Sequence, residues 1–429
     1  MQYIIATLGC KVNQYESEAI EQLLRRDSHT PAAEGAQADV IIVNTCAVTA
    51  EGERKVRQTV RRLRRQHSGA LLALCGCWSQ VDSARAAELG ATVIFGTGDR
   101  QGFVRAVEAA AGAQPGETRQ QLDDPFRRTA FEELPAGAYA GHARAYLKIQ
   151  DGCDNFCTYC IIPYARGRVL SLPAERCAAE TAALAAQGYR EIVVTGIEIA
   201  SWGKDLRDGS GLIDALEAMA AAAPGVRLHL GSLEPTAVTE EFVERLAKLN
   251  VCPHFHLSLQ SGCDATLRRM HRKYDTAAFF AVTERLRAAF PGCGITTDLI
   301  CGFPGEDETE FSETMAFIEK CAFSAMHIFP YSRRPGTKAD KMPDQLSREV
   351  KSRRCRQAQE LSEKMRHAYL VSCVGRELPV LFETERDGAS LGHAGNYTEV
   401  SVQAAGLRGL IKDVKITGVQ GDILVGIPL

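Results

Sequence analysis

Residues 151–168 read DGCDNFCTYCIIPYARGR, with Cys153, Cys157 and Cys160 in a C-x3-C-x2-C spacing. Soft thiolate donors select iron–sulfur clusters, zinc or copper(I). A structural zinc site asks for four closed ligands, commonly two C-x2-C pairs or a cysteine/histidine mixture. Here the next cysteine is Cys177, seventeen residues on, so the set is one ligand short. A 4Fe–4S cluster on three thiolates keeps one iron open to a further ligand. A zinc knuckle and three unligated thiols are the alternatives, and thiols grouped this way without a metal are an oxidation liability.

Outward from the triplet, residues 143–331 repeat strand then helix. The strands are AYLKIQD, EIVVTGI, VRLHLGS, HFHLSLQ, GITTDLI and SAMHIFPY, with apolar-periodic helical segments between them. Six such units predict a partial (β/α) barrel over residues 143–344, short of the full eight, with the cysteine loop after its first strand. Active-site groups belong on the loops at the carboxyl ends of such strands. The polar candidates there are Thr195, Glu198, Ser232, Glu234, Gln260, Ser261, Asp298 and Tyr331. Glycine-rich pieces TGIE, LQSG and GFPGE recur at the same ends and let backbone approach a ligand. Arg166 and Arg168 follow the cysteines, as charge for a ligand or as ion-pair partners. Arg272, Arg333 and Arg334 are expected to face solvent.

Residues 1–112 read as an α/β unit with strands QYIIATLG, ADVIIVNTC, ALLALCGC and ATVIFGTG. Apolar strands alternating with helices predict a parallel sheet covered on both faces. Ligands of such sheets collect beyond the carboxyl ends of the strands. Cys10, Cys46 and Cys77 fall just past three of those ends, so a second three-thiolate site and ordinary buried cysteines are both open. Cys75 is read as a strand residue. The helix from about Glu51 to His67 carries Arg54, Lys55, Arg57, Arg61, Arg62, Arg64 and Arg65. That run is a phosphate-binding face or a solvated one.

Residues 113–142 lack a sustained period and read as a linker, with strand-like pieces such as RRTAFEEL. Residues 345–370 form one charged helical pattern that connects to the last unit. Residues 371–429 shift to short apolar alternations separated by Gly and Asn, which predicts a small β-barrel. That unit holds five Lys/Arg against seven Asp/Glu, a balance that is not an electrostatic footprint for RNA. A local patch around Arg408, Lys412 and Lys415 is the place for any RNA contact.

The 429 residues carry a formal charge of −3 and fifteen cysteines. An odd count in a large chain argues against a disulfide framework and for a reducing compartment, the cytoplasm. No apolar run approaches the roughly 18 residues of a membrane span. MQYIIATLGC lacks a basic leader region and reads as a strand, not a signal peptide.

The C-x3-C-x-aromatic-C pattern, with Tyr159 in the aromatic slot, resembles the radical S-adenosylmethionine (SAM) enzymes. TLGCKVNQYESE, NTCAVT and GCWSQ resemble the three cysteine segments of the methylthiotransferase N-terminal domain. The three-unit order resembles that family along essentially the whole chain, with the last unit similar to its RNA-binding TRAM domain, an OB-like barrel. The resemblance implies two 4Fe–4S clusters, one on Cys10, Cys46 and Cys77 and one on Cys153, Cys157 and Cys160, both facing one cavity. It implies SAM near Tyr159, Gly196, Glu198, Ser232 and Glu234, with Gln260, Ser261 and Asp298 toward the substrate. It implies replacement of an unactivated C–H by C–SCH3, chemistry that needs a cofactor-borne radical. It implies the anticodon stem-loop of a tRNA as substrate and a flavodoxin or ferredoxin as electron donor, with the sulfur donor open. GCKVNQYESE is similar to the branch acting on N6-threonylcarbamoyladenosine; the isopentenyladenosine branch reads GCQMN there, and a third branch modifies a ribosomal-protein aspartate. A reading of another class is a non-catalytic iron–sulfur RNA sensor, against which the TGIE, GSLE and GFPGE loops speak.

Overall fold

The computed structural model describes residues 1–111, 118–136 and 143–429. The amino-terminal sheet is built from β1 (Gln2–Thr7), β2 (Thr30–Pro31), β3 (Val40–Thr45), β4 (Leu71–Gly76), β5 (Val93–Phe95) and β6 (Arg119–Gln121). Its order is β2-β1-β3-β4-β5-β6, and every pairing is parallel. All six residues of β3 are buried, as expected of a central parallel strand covered on both faces. The covering helices are α1 (Lys11–Arg26), α2 (Ala50–Gln66), α3 (Cys77–Val81), α4 (Ser83–Ala87) and α5 (Arg100–Ala111). Helix α2 starts where the Thr49 hydroxyl accepts from Gly52 N at 3.0 Å. It buries Glu53, Val56, Val60 and Leu63, spaced three or four apart, and leaves its basic residues outside.

The sheet has two more strands than the sequence pattern predicts. The sixth, β6, comes from the stretch expected to be linker. RRTAFEEL forms no strand. Instead, the Leu134 side chain joins the barrel core, and its carbonyl accepts from the Tyr15 hydroxyl at 2.9 Å. Within the predicted linker, residues 113–117 and 137–142 lie outside the described residues.

The second unit holds β7 (Arg144–Lys148), the short pair β8 (Gln150–Asp151) and β9 (Leu170–Ser171), and the helices α6 (Ile162–Arg166) and α7 (Ala174–Ala186). It continues through β10 (Glu191–Thr195), α8 (Leu212–Ala222), β11 (Arg227–Leu230), α9 (Glu240–Leu246), β12 (His254–Gln260), α10 (Asp264–Arg269) and α11 (Thr276–Ala289). It closes with β13 (Gly294–Cys301), α12 (Glu308–Cys321) and β14 (Ala325–Pro330). The main strands run parallel in the order β7-β10-β11-β12-β13-β14, with β11 and β12 joined by the bridges Leu228–Val251 and Leu233–Leu257. This is the expected open six-stranded (β/α) barrel. Along β12, Phe255, Leu257 and Leu259 bury in the core beneath the helices. The alternate residues His254 and His256 therefore face the lumen, while the register shifts between Leu257 and Gln260.

Helix α13 (Arg348–Ser372) packs on β14 and leads to β15 (Glu377–Arg386), β16 (Ala389–Ala394), β17 (Glu399–Val402), β18 (Ile411–Gln420) and β19 (Ile423–Pro428). These strands close a barrel in the order β15-β16-β17-β19-β18 around Val380, Phe382, Val400, Val414, Ile416 and Leu424. The small barrel seals the bottom of the larger one. Arg227 donates to Pro379 O and His393 O at 3.0 and 3.2 Å, and Arg144 meets Glu383 at 2.9 Å. Tyr397, at φ +66°, stacks on His254 with ring centres 4.9 Å apart.

Candidate active site

Cys10, Cys46 and Cys77 follow β1, β3 and β4, three adjacent parallel strands, so their loops emerge side by side. Two asparagines fix those loops. Asn13 Nδ2 donates to Leu8 O at 2.8 Å and Thr45 O at 3.1 Å, and Asn44 Nδ2 donates to Asn13 O at 3.0 Å. Gly9, at φ +121°, lies so close that a Cβ on it would stand 3.1 Å from Cys46 Cβ. Gly76, at φ +98°, has room for no side chain, since a Cβ would sit 2.4 Å from Asn44 Oδ1. Burial pushes the Cys77 thiol up to about 12, and the nearby Cys10 and Cys46 thiolates act in the same direction. Cys75 points the other way, fully buried with Tyr3, Ile20 and Phe103 on the opposite face of the sheet.

Cys153, Cys157 and Cys160 lie on the loop between β8 and α6. Cys153 N donates to Gly167 O at 3.0 Å, and Cys160 N to Cys157 O at 2.9 Å. Gly152, at φ +70°, lets Arg168 O approach to where a Cβ would be. Arg272 donates from Nη1 to Cys157 Sγ at 3.2 Å and from Nη2 to Glu234 at 2.7 Å. Burial pushes the Cys153 and Cys160 thiols up to about 12. A metal centre bound there would replace the thiol protons. Each place offers three thiols of the kind soft metals take, but among the described residues the groups whose ligand atoms lie within 4.8 Å of one another are Glu191, His229 and Cys252, and His256, Asp298 and His327, so neither triad is drawn together as tightly.

Helix α6 joins the two triads. It leaves Cys160, packs Ile161 and Ala165 among Cys77 and Trp78, and ends on Arg166. The Arg166 guanidinium is wholly buried; Nε donates to Cys77 Sγ at 3.3 Å, Nη1 to Glu16 at 2.7 Å and Nη2 to Asn13 Oδ1 at 3.0 Å. Lys148 bridges Glu16 and Asp151 at 3.3 and 2.9 Å, and Arg100 meets Glu16 at 2.7 Å. Burial alone would raise the Glu16 carboxyl, but Arg100, Arg166 and Lys148 hold it well below the carboxylate range. None of Asn13, Glu16, Arg100, Lys148 and Asp151 stands out in the sequence, because each looks like an ordinary helix or strand-end polar residue. Only the buried position gives it a task.

Around the second triad, Glu198 N donates to Gln150 Oε1 at 2.8 Å, and the Ser201 hydroxyl donates to Glu198 Oε2. Glu198 Oε1 is buried and has no partner. An orphaned carboxylate oxygen near Cys153 fits the amino group of SAM. Gly196 packs its backbone on Gln150, Ser232 is exposed, and Tyr159 sets its ring edge-on to Phe303 at 6.4 Å. Gln260 ends β12 at φ +70°, and Asp298 faces the lumen. When bound, an iron–sulfur cluster and SAM would supply the one-electron chemistry that no side chain here provides. The protein's share would be to present the thiols, with Arg166 and Arg272 each donating a hydrogen bond to one sulfur.

Several expectations fail. Arg272 and Arg334 do not face solvent: each side chain is 5% exposed, paired with Glu234 and with Glu53 at 2.7 and 2.6 Å. Arg333 does, at 56%, beside Asp340. Glu234 meets Arg272 through Oε2 at 2.7 Å. Ser261 does not reach the substrate side, because its buried hydroxyl meets Thr314 Oγ1 at 3.3 Å. Thr195 and Tyr331 are buried at their strand ends.

Known proteins resemble the chain along the same divisions. The family model for the radical SAM superfamily matches residues 147–318, and the model described as uncharacterized protein family UPF0004 matches residues 2–96. The threonylcarbamoyladenosine tRNA methylthiotransferase MtaB of Bacillus subtilis (strain 168) is 37% identical over 405 residues, 92% of this chain and 88% of that protein. The protein of the same name from Thermotoga maritima is 36% identical, covering 88% and 86%. A tRNA-2-methylthio-N(6)-dimethylallyladenosine synthase of Sphingopyxis alaskensis is 33% identical, covering 99% and 97%. Among solved structures, the radical S-adenosylmethionine methyltransferase TsrM of Kitasatospora setae shares the fold at 15% identity, with a TM-score of 0.56 over 79% of this chain and 77% of that one. With relatives this similar along nearly its full length, the chain belongs to the radical SAM methylthiotransferase family.

Proposed function

We propose that this protein places a methylthio group on C2 of N6-threonylcarbamoyladenosine at position 37 of tRNA, next to the anticodon. The observation that carries the reading is the 37% identity to a protein named for that substrate, over 92% of the chain. The two cysteine triads brought to one interface support it, because the reaction needs a radical source and a sulfur carrier at a single carbon. In this reading Cys153, Cys157 and Cys160 hold the 4Fe–4S cluster that binds SAM, with Glu198 and the TGIE backbone at its amino group. Cys10, Cys46 and Cys77 hold a second 4Fe–4S cluster that carries the sulfur.

The exposed face of α2 and the C-terminal barrel, read as a TRAM-like domain, hold the tRNA. A flavodoxin- or ferredoxin-type donor supplies electrons in the cytoplasm. Among the described residues no helix is long and apolar enough to cross a membrane. The second reading, dimethylallyladenosine as substrate, is favoured by the 33% identity to the Sphingopyxis protein. Nucleoside mass spectrometry of tRNA from cells lacking the gene separates the two. Loss of 2-methylthio-N6-threonylcarbamoyladenosine is expected; loss of the dimethylallyl product alone overturns the assignment.

A further inference from the structure

Lys11 follows Cys10 directly and opens α1. Its ammonium reaches out of the amino-terminal unit toward the floor of the barrel, 6.0 Å from the centre of the Tyr397 ring. It is half-buried, and no described residue makes a hydrogen bond or ion pair with it. Neighbouring charges are already matched. Arg144 is held by Glu191 and Glu383, and Arg227 by Glu191. That leaves Lys11 beside the lumen with no ion-pair partner of its own among the described residues: burial and Arg144 disfavour its charge, and the one carboxylate that supports it, Glu191, is shared with Arg144 and Arg227, so an incoming anion would stabilise it.

The wall beside it is polar. His254 Nε2 and His256 Nδ1 both lie 3.0 Å from Thr296 Oγ1. His256 Nε2 lies 3.3 Å from Asp298 Oδ2, and Asp298 pairs in register with His327 on β14. The ligand-type atoms of His256, Asp298 and His327 lie within 4.8 Å of one another. His327 makes no hydrogen bond, and its ring is exposed to the lumen. A divalent cation would suit the trio by itself, but the Lys11 charge acts on His327 and His254 as well. An unpaired ammonium there opposes a cation and favours a carboxylate.

We propose that Lys11 and His327 form a subsite for a carboxylate on the N6 substituent of the substrate adenine, with Asp298, oriented by His256, accepting from a neighbouring hydroxyl. The proposal rests on the reading above, in which the substituent is a threonylcarbamoyl group bearing both. C2 and N6 lie on one edge of adenine, on either side of N1. A base whose C2 meets the sulfur carried by the Cys10 triad therefore sends its N6 substituent to the residues next to Cys10. A dimethylallyl group carries no charge and would leave Lys11 desolvated and unpaired, which costs free energy. Sites built to bond a polar group discriminate strongly against analogues that lack it.

The test uses cluster-loaded full-length enzyme and two anticodon stem-loop RNAs. One carries N6-threonylcarbamoyladenosine and the other its threoninamide counterpart, identical but uncharged. Affinity is read by fluorescence anisotropy, and KM and kcat by product mass spectrometry. Wild type is expected to bind the carboxylate RNA about tenfold more tightly than the amide RNA. Lys11→Gln should erase that preference by weakening the carboxylate RNA alone, chiefly through KM, and Lys11→Arg should restore most of it. Equal weakening of both RNAs by K11Q, or no change in either, overturns the proposal. So does stoichiometric binding of Zn2+ or Mn2+ that is lost in His327→Ala. A third stem-loop carrying N6-dimethylallyladenosine serves as control: if wild type modifies it alone, the substrate reading itself falls, and that outcome is visible before any variant is made.

Discussion

Arg166 Nε stands 3.3 Å from Cys77 Sγ, so a residue from the loop of one cysteine triad donates to a sulfur of the other. The second triad shows the same device, since Arg272 Nη1 lies 3.2 Å from Cys157 Sγ. Hydrogen bonds to cysteine sulfur help set the potential of an iron–sulfur centre. Each arginine is anchored by buried carboxylates, Glu16 and Asp151 in one case and Glu234 in the other. The two cysteine segments are therefore linked through the Arg166 side chain.

Replacing Arg166 should be costly to stability. Arg166→Met leaves Glu16 and Asp151 buried with a weakened counter-charge, a loss on the order of 3–5 kcal/mol. Arg166→Lys keeps the charge but not the planar fork and should fall between. Thermal melting checks the ranking, and a melting temperature unchanged in R166M would refute the structural role.

Cys75 and Cys77 should differ sharply. In a background with Cys153, Cys157 and Cys160 changed to Ala, the remaining iron reports on the amino-terminal triad alone. Cys77→Ala, like Cys10→Ala and Cys46→Ala, is expected to lose that iron and its electron paramagnetic resonance signal. Cys75→Ala should keep both, because its sulfur faces the hydrophobic side of the sheet. With the amino-terminal triad changed instead, SAM cleavage should persist; it should vanish on loss of Cys153, Cys157 or Cys160.

The affinity for SAM should depend on pH through Glu198. Burial pushes its carboxyl up to about 7, the Ser201 hydroxyl opposes the shift, and Glu234 adds to it. Above that pH the carboxylate is charged and attracts the SAM amino group; below it the group is neutral. Dissociation constants should therefore rise as pH falls through about 7, and Glu198→Gln should be weak and flat across the range. For the ligand-free protein the sign is reversed. The raised carboxyl stabilises the fold below its unfolded pKa, and that contribution is lost as pH climbs through 7. E198Q should then melt higher than wild type at alkaline pH.

The basic face of α2 should govern the salt dependence of tRNA binding. Arg61, Arg62, Arg64 and Arg65 are exposed; Arg64 donates to Leu89 O at 2.7 Å and Arg62 to Gln66 Oε1 within the helix at 3.4 Å. Changing all four to Gln should weaken tRNA and flatten the plot of log affinity against log salt. An unchanged slope places the phosphates elsewhere.

Much of this protein was legible in the sequence because it rests on local pattern. Strand and helix periods gave the α/β unit, the open barrel and the terminal β-barrel, since burial of one face imposes those periods wherever the elements end up. C-x3-C-x2-C and the positions past β1, β3 and β4 placed both sets of cysteines on strand-end loops, since strand-end position is a property of the chain itself. Short pairings escaped: β2 spans two residues and β6 three, too few for a period to show. Tertiary structure alone decided the partners of the charged residues. Arg272 and Arg334 look like surface cations in sequence and are buried, because Glu234 and Glu53 come from distant segments. Arg166 reaches Cys77 across 89 positions, and Lys11 is left without an ion-pair partner of its own among the described residues, beside a floor that Tyr397 supplies from the far end of the chain. Electrostatic pairing acts through space at a few ångströms, so no local pattern carries it, and the meeting of three separately readable units is what turns two sets of cysteines into one site.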